Sequence, residues 1–249
     1  MPSSTYRRVD GAPVNSSEAA LRLRVTHVDQ ANTVLTASDG DLWPAAWADD
    51  GALYATAGDG TGFARHGWSD ILVNRIDGLP ATGLLGERLA DGDDVGPIWE
   101  PERFNRKPTG MVAVDGNGDG RDELYLAVQD LRSGDSPDTF NEAPTATIVR
   151  SDDYGQTWSW PTHPLFTDHT FTTVMFLDLG QSNGDSEWVY AYGIDGNWRT
   201  SFSKVVPDPT QLFLGRVHRS AIQDASQWQF FVGLTDDGSP KWAADIAQR

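Results

Sequence analysis

GDLWPAAWADDGALYATAGDGTGF, residues 40–63, is the stretch whose reading decides the fold. Asp49-Asp50-Gly51 is a turn signal between two apolar, aromatic-bearing runs, so the segment reads as one β-hairpin. Counted outward from Asp50, Asp41 lies nine positions before it and Asp59 nine after. Antiparallel pairing then sets these side chains opposite each other, give or take one residue of register. Directly opposed residues sit about 4.5–5.5 Å apart, where like charges destabilise, so the pair costs stability unless it has a purpose. Paired carboxylates at one end of a sheet point to general acid/base chemistry.

The rest of the 249-residue chain repeats the pattern. Strand-like runs at 42–48, 52–57, 71–76, 110–114, 123–128, 146–150, 157–160, 172–178, 188–192, 211–217 and 228–234 are separated by turn signals, in a chain with 25 glycines and 14 prolines. An all-β fold follows. The one helix-like run, 17–23, is weak. The strands group into sets that open at 42–57, 110–128 and 172–192, recurring roughly every 60–70 residues. Small antiparallel sheets repeated at that interval predict a β-propeller of four-stranded blades with long loops. The blades are expected at about 41–92, 106–162 and 170–236, within a partial propeller spanning 39–249. Residues 1–38 form an N-terminal segment that could supply a ring-closing strand.

Composition narrows the function. Acidic residues outnumber basic ones 36 to 19, and the net charge of −17 repels phosphate backbones and anionic membrane surfaces, which excludes nucleic acid and lipid as expected partners. With no cysteine there is neither a disulfide nor a thiolate nucleophile, and the redox compartment is not inferable. No run is long and apolar enough to cross a bilayer. The start, MPSSTYRRVDGAP, lacks the apolar core of a secretory leader, so extracellular action implies another export route or a leader outside this chain. Ten tryptophans and six tyrosines supply core, and also platforms on which sugar rings could stack.

Ser151-Asp152-Asp153-Tyr154-Gly155-Gln156-Thr157-Trp158 fits S-x-D-x-G-x-T-W at every defining position, and so resembles the Asp-box of sialidase-like propellers. Its physics is structural: Asp153 accepts from turn amides, Gly155 permits a positive φ, and Trp158 wedges between sheets. In such propellers this turn joins a blade's third and fourth strands, on the face away from the usual active site. The turn between first and second strands shares that face. Asp49 and Asp50 therefore fall on the structural face, while Asp41 and Asp59 keep the opposite, functional one. The same rule puts Lys107 at the start of the second set and the loop 129–144, with Asp130, at its exit. In the third set it selects His169, Asp195 and Trp198, and His66 and Trp68 join them from the first set's exit loop. Each of these alone would be an ordinary solvated loop residue; together they outline one mouth.

Asp115-Gly116-Asn117-Gly118-Asp119-Gly120-Arg121-Asp122-Glu123 spaces its oxygens as D-x-N-x-D-G-x-x-E, which suits a structural Ca²⁺ bound by Asp115, Asn117, Asp119 and Glu123. An EF-hand would need glutamate where Leu126 stands, and the loop resembles the calcium hairpins of FG-GAP-type propeller repeats. A metal-free Asn-Gly turn is the alternative, and either role is structural on this face. The five histidines lack ligand spacing for catalytic zinc.

The opening stretch, with RKPTGMVAV at 106–114, the 151–158 turn, TFTTVMFLDLG at 170–180, WVYAYG at 188–193 and QWQFFVGLTDDGSPKW at 227–242, resembles a bacterial family of endo-D-arabinanases with five-bladed propellers. The resemblance covers most of 39–246. It implies a glycosidase that cleaves internal arabinofuranosyl linkages of mycobacterial-type D-arabinan, in arabinogalactan or lipoarabinomannan, with no cofactor in the chemistry. Asp41 of the GDxWP element and Asp59 of the GDG element match the catalytic carboxylates. Lys107, Asp130, His169, Asp195, Trp68 and Trp198 would then bind substrate, while Trp43 and Trp47 read as propeller core. The family's ring has five blades and this chain supplies about three, ending soon after a linker-like GSPKW, which suggests a fragment that would be inactive alone. Two rivals stand beside this reading. A sialidase would need an arginine cluster and F/Y-R-I-P, and the nearest run is Asn74-Arg75-Ile76-Asp77. A non-catalytic carbohydrate-binding propeller would keep the tryptophans without needing Asp41 to face Asp59.

Overall fold

A computed structural model describes residues 34–99, 104–133, 140–194 and 211–248. The weak helix at 17–23, Asp195 and Trp198 lie outside the described residues, as do most of the 1–38 segment and the middle of the 129–144 loop. Among the described residues the structure is antiparallel β-sheet joined by loops and 3₁₀ turns. The first sheet contains β1 (Asp39–Asp41), β2 (Ala45–Trp47), β3 (Leu53–Gly62), β4 (Leu72–Leu79) and β5 (Gly83–Asp91); β1 and β2 both pair with β3. The second contains β6 (Phe104–Val114), β7 (Glu123–Ser133), β8 (Phe140–Glu142) and β9 (Ala146–Ser151), with β8 and β9 both paired to β7. The third runs in order from β10 (Met175–Phe176) through β11 (Trp188–Ile194), β12 (Leu212–His218) and β13 (Gln229–Leu234) to β14 (Pro240–Ala243).

These are three consecutive blades of a β-propeller, each an antiparallel sheet packed on the next. Small side chains of the first blade, Ala46, Ala48 and Ala52, meet Met111, Ala113 and Leu124 of the second. Further out, Ile71, Val73 and Val95 meet Leu126, Val128 and Val149. Between the second and third blades the core is larger: Val112, Val114, Ala127 and Ile148 pack on Phe171, Val174, Val189 and Trp228. Trp228 is sealed in that layer, edge-on to Phe166 and tilted against Phe171, with its indole N–H donated to Ile222 O. This burial removes the most apolar surface from water, and so dominates the cohesion of the blades.

The 151–158 turn adds polar fastening. Asp153 accepts from the Ser151 hydroxyl at 2.8 Å, the Gln156 and Thr157 amides at 3.1 and 2.8 Å, and the Thr157 hydroxyl at 2.6 Å. Gly155 takes φ +87°, as only glycine does without strain, and Trp158 packs against both core clusters between the first two blades. Burial alone would push the Asp153 carboxyl up, but these bonds outweigh it and hold the group below its ordinary value. A carboxylate with a lowered folded pKa stabilises above its unfolded value, and loses that contribution as pH falls through the folded one. Asp153→Ala should therefore cost about 2–3 kcal/mol in urea unfolding at neutral pH, and the gap to wild type should narrow in acid.

Several sequence expectations are corrected. The run 42–48 holds only the short strand β2, with β1 ending before it at Asp41, because Leu42 adopts φ +50° and Pro44 has no N–H to give the ladder. In the second blade β6 and β7 extend well past 110–114 and 123–128, so Lys107 and Asp130 are strand residues and not loop residues. The 157–160 run contributes only an isolated bridge, Arg150 to Ser159, and the 172–178 run only Met175–Phe176. GSPKW is no linker: Pro240–Ala243 pairs with β13 and extends the third blade past residue 236. Trp47 is not core. It alternates with Ala46, which faces the second blade, and with its partner Leu53 lies on the first sheet's other side, 47% exposed.

Candidate active site

The two faces separate as expected. Asp49, Asp50 and the acidic loop gather at one end, where the Asp49 amide donates to Asp122 Oδ2 at 2.8 Å and the Asp122 amide donates back to Asp49 Oδ1 at 3.1 Å. Ser182 of the third blade also donates to Asp122, and Gln181 to Ala48 O, so this end is a fastening of three blade turns. Arg75 contacts Asp50 and Asp77 there. In the loop, Asp115, Asp119 and Glu123 bring oxygens within 4.8 Å of one another, a spread one ion at about 2.3–2.6 Å from each would allow. The loop also closes on itself: Asp115 accepts from the Gly118 and Gly120 amides, Glu123 from those of Gly116 and Asn117, and Asn117 from that of Asp119.

At the opposite end of β3 lie Asp41 and Asp59. The register pairs Asp41 with Gly58 and Asp39 with Gly62, so three residues of β3 bulge against the single Gly40 of β1. Asp59 sits on that bulge at φ +48°, an uncommon conformation for a non-glycine residue of the kind that collects at functional sites. The simple count from Asp50 therefore misses by one position. Gly58 is the pivot: a Cβ there would lie 2.9 Å from Asp41 Oδ1 and 3.4 Å from Lys107 Cδ, so the acidic pair and the lysine close around a bare backbone.

Lys107 is 3% exposed, and its ammonium touches Asp59 Oδ1. That ammonium is sealed from solvent and has no hydrogen-bond partner among the described residues. It is a buried charge held by a carboxylate. Asp41 has no such contact. Its side chain reaches the open mouth, but the walls beside its carboxyl withhold water and push its pKa up; Lys107 opposes that rise and Asp59 adds to it. Two carboxyls with a common neighbour thus occupy unlike environments, a pattern that separates an acid from a base.

The other expected site residues divide. Trp68 stands 63% exposed on the loop after β3, free to stack on a ligand, and His66 is exposed beside it. Asp130 is buried at 1% exposure, where Oδ2 accepts from the Trp99 amide at 2.8 Å and the Thr145 hydroxyl at 3.0 Å, so it braces the site's wall. His169, at φ +60°, places Nε2 3.2 Å from Glu142 Oε1, while Arg132 donates to the other oxygen of Glu142 at 2.9 Å. Glu142 and Arg132 escaped the sequence reading because they sit within a stretch taken for loop; the length of β7 is what brings them beside His169. Beside Asp41 and Lys107, a cavity of about 280 Å³ is lined by Leu42 and Pro44 from the link between β1 and β2, Pro108 and Thr109 from β6, and Thr173 and Met175 from β10 and the turn before it.

No protein-family model and no curated protein matches this chain. Among solved structures it is similar to a provisionally assigned hydrolase from Bacteroides ovatus, at 12% identity and TM-score 0.46, covering 83% of this chain and 54% of that one. It is also similar to the GH43_1 enzyme from Xanthomonas citri complexed with xylotriose, at 19% identity and TM-score 0.43, covering 83% and 59%. A third is the inulosucrase from Halalkalicoccus jeotgali bound to kestose, at 14% identity and TM-score 0.37, covering 82% and 62%. The chain therefore spans 54–62% of the length of these three structures.

Proposed function

We propose that the chain carries the catalytic face of a glycoside hydrolase that cleaves internal arabinofuranosyl linkages of D-arabinan in cell-wall polysaccharide, acting outside the cell. The observation that carries this reading is the placement of Asp41 and Asp59 around Gly58 with one buried ammonium on Asp59 alone. Asp41, the carboxyl pushed up, would protonate the glycosidic oxygen as it leaves. Asp59, kept beside Lys107, would attack the anomeric carbon or activate water, and its charge would stabilise an oxocarbenium-like transition state. Trp68 would stack on a neighbouring sugar ring, and Lys107, its ammonium sealed from solvent, would hold Asp59 in place. The arabinan specificity is supported by the sequence resemblance of the GDxWP and GDG elements. Incubation with mycobacterial arabinogalactan or lipoarabinomannan should release oligosaccharides, and a protein that releases none while folded would overturn the reading. A calcium ion at Asp115, Asn117, Asp119 and Glu123 would serve the fold only, so calcium should raise the thermal midpoint without altering turnover.

A further inference from the structure

The cavity beside the acidic pair has a chemistry unlike that of a sugar subsite. Its six lining residues are four apolar ones, Leu42, Pro44, Pro108 and Met175, and two threonines. Both threonine protons are committed elsewhere: Thr109 donates to Val174 O at 2.6 Å and Thr173 to Gln129 Oε1 at 2.8 Å. Pro44 and Pro108 have no backbone N–H, and the carbonyl of Pro44 already accepts from the Thr56 amide at 2.9 Å. A pentose pressed into this space would find no side-chain donor and only the two threonine oxygens as side-chain acceptors, so most of its hydroxyls would go unpaired, each at a cost of about 1–3 kcal/mol. An alkyl chain would lose nothing.

We infer that this floor, continuous with the catalytic pair through Leu42 and Pro108, takes an apolar acyl or alkyl group carried by the glycoside, such as a hydrocarbon aglycone or an ester on a neighbouring hydroxyl. The inference deepens the hydrolase reading by naming a substituent of its substrate, and rests on that reading only for the sugar part. The space of about 280 Å³ equals roughly nine water-sized groups at about 30 Å³ each, enough for a six-carbon chain. Met175, 36% exposed at the rim, is the side chain such a group would cross on entering.

Calorimetric titration with non-cleavable methyl and hexyl 1-thio-α-D-arabinofuranosides reads the floor without turnover, and a parallel titration with 1-hexanol reads it without any sugar. Affinity should rise about fourfold for each added methylene, the ratio that burial of one CH₂ gives. Hexanol should compete with the hexyl glycoside and not with the methyl one. Met175→Gln should weaken hexyl glycoside and hexanol by about fivefold and leave the methyl glycoside unchanged, in a protein whose unfolding is normal. Equal affinities for the two glycosides, or hexanol that fails to compete, would overturn the inference and leave the hydrolase reading standing. Hexanol binding that Met175→Gln weakens, in a protein that binds neither glycoside, would uphold the floor and remove the hydrolase reading instead.

Discussion

Asparagine at either Asp41 or Asp59 should reduce arabinan cleavage by about 10³-fold or more if the proposed roles hold, because each substitution would then remove a proton-transfer or nucleophilic role that its neighbour cannot assume. The two variants should differ in stability, and that difference tests the assignment. The folded state raises the Asp41 pKa, through burial first and the charge of Asp59 as well, with Lys107 opposing. A raised carboxyl contributes its full stability below its unfolded pKa, and loses that contribution as pH rises through the folded value. At neutral pH the ionised Asp41 is therefore a burden on the fold. Asp41→Asn should unfold at higher urea than wild type at pH 7, and at the same urea once the pH falls below the ordinary carboxylate range. Asp59→Asn breaks the contact with the buried Lys107 ammonium, so it should be less stable than wild type at neutral pH. Loss of activity with unfolding in both variants would return the pair to a structural role.

The fold was legible because its cues are local. Turn residues such as Asp49-Asp50-Gly51 and the 151–158 motif act within a few positions, and the short apolar runs between turn signals marked β3, β7 and β11. What stayed hidden depends on partners distant in sequence. Nothing around Asp130 announces that Trp99 and Thr145 will occupy its carboxylate, and nothing around Glu142 announces His169 and Arg132. GSPKW carries a glycine and a proline, both ordinary loop signals, yet Pro240 begins an edge strand, where a missing N–H is tolerated. Trp47 misled because side-chain size suggests burial while strand alternation decides it. The acidic pair was found by symmetry of the hairpin, and its true register was not, because the backbones at Gly40 and Gly60 approach so closely that any Cβ on Gly60 would meet Asp39 O at 2.5 Å. That crossing permits the bulge that turns Asp59 toward Lys107.

Lys107→Met should have the second-largest effect, and it separates charge from packing. Methionine fills much the same space without an ammonium, so the wall around Gly58 keeps its shape while Asp59 is left without a counter-charge. Asp59 is 40% exposed, so losing its counter-charge costs the fold little, and the loss falls instead on a transition state that needs Asp59 ionised and fixed, where turnover should drop about 10²-fold. The pH profile supplies a readout that lost packing alone would not move. Lys107 holds down the pKa of Asp41, against burial and Asp59, which raise it. Without the lysine the acid stays protonated to higher pH, and the alkaline limb of the residual activity should shift upward. Lys107→Arg keeps the sign of the charge and should leave that limb near its wild-type position, even if the larger head group crowds Gly58 and lowers the maximum. A Lys107→Met profile superimposable on wild type would mean that the ammonium holds Asp59 in place without tuning Asp41.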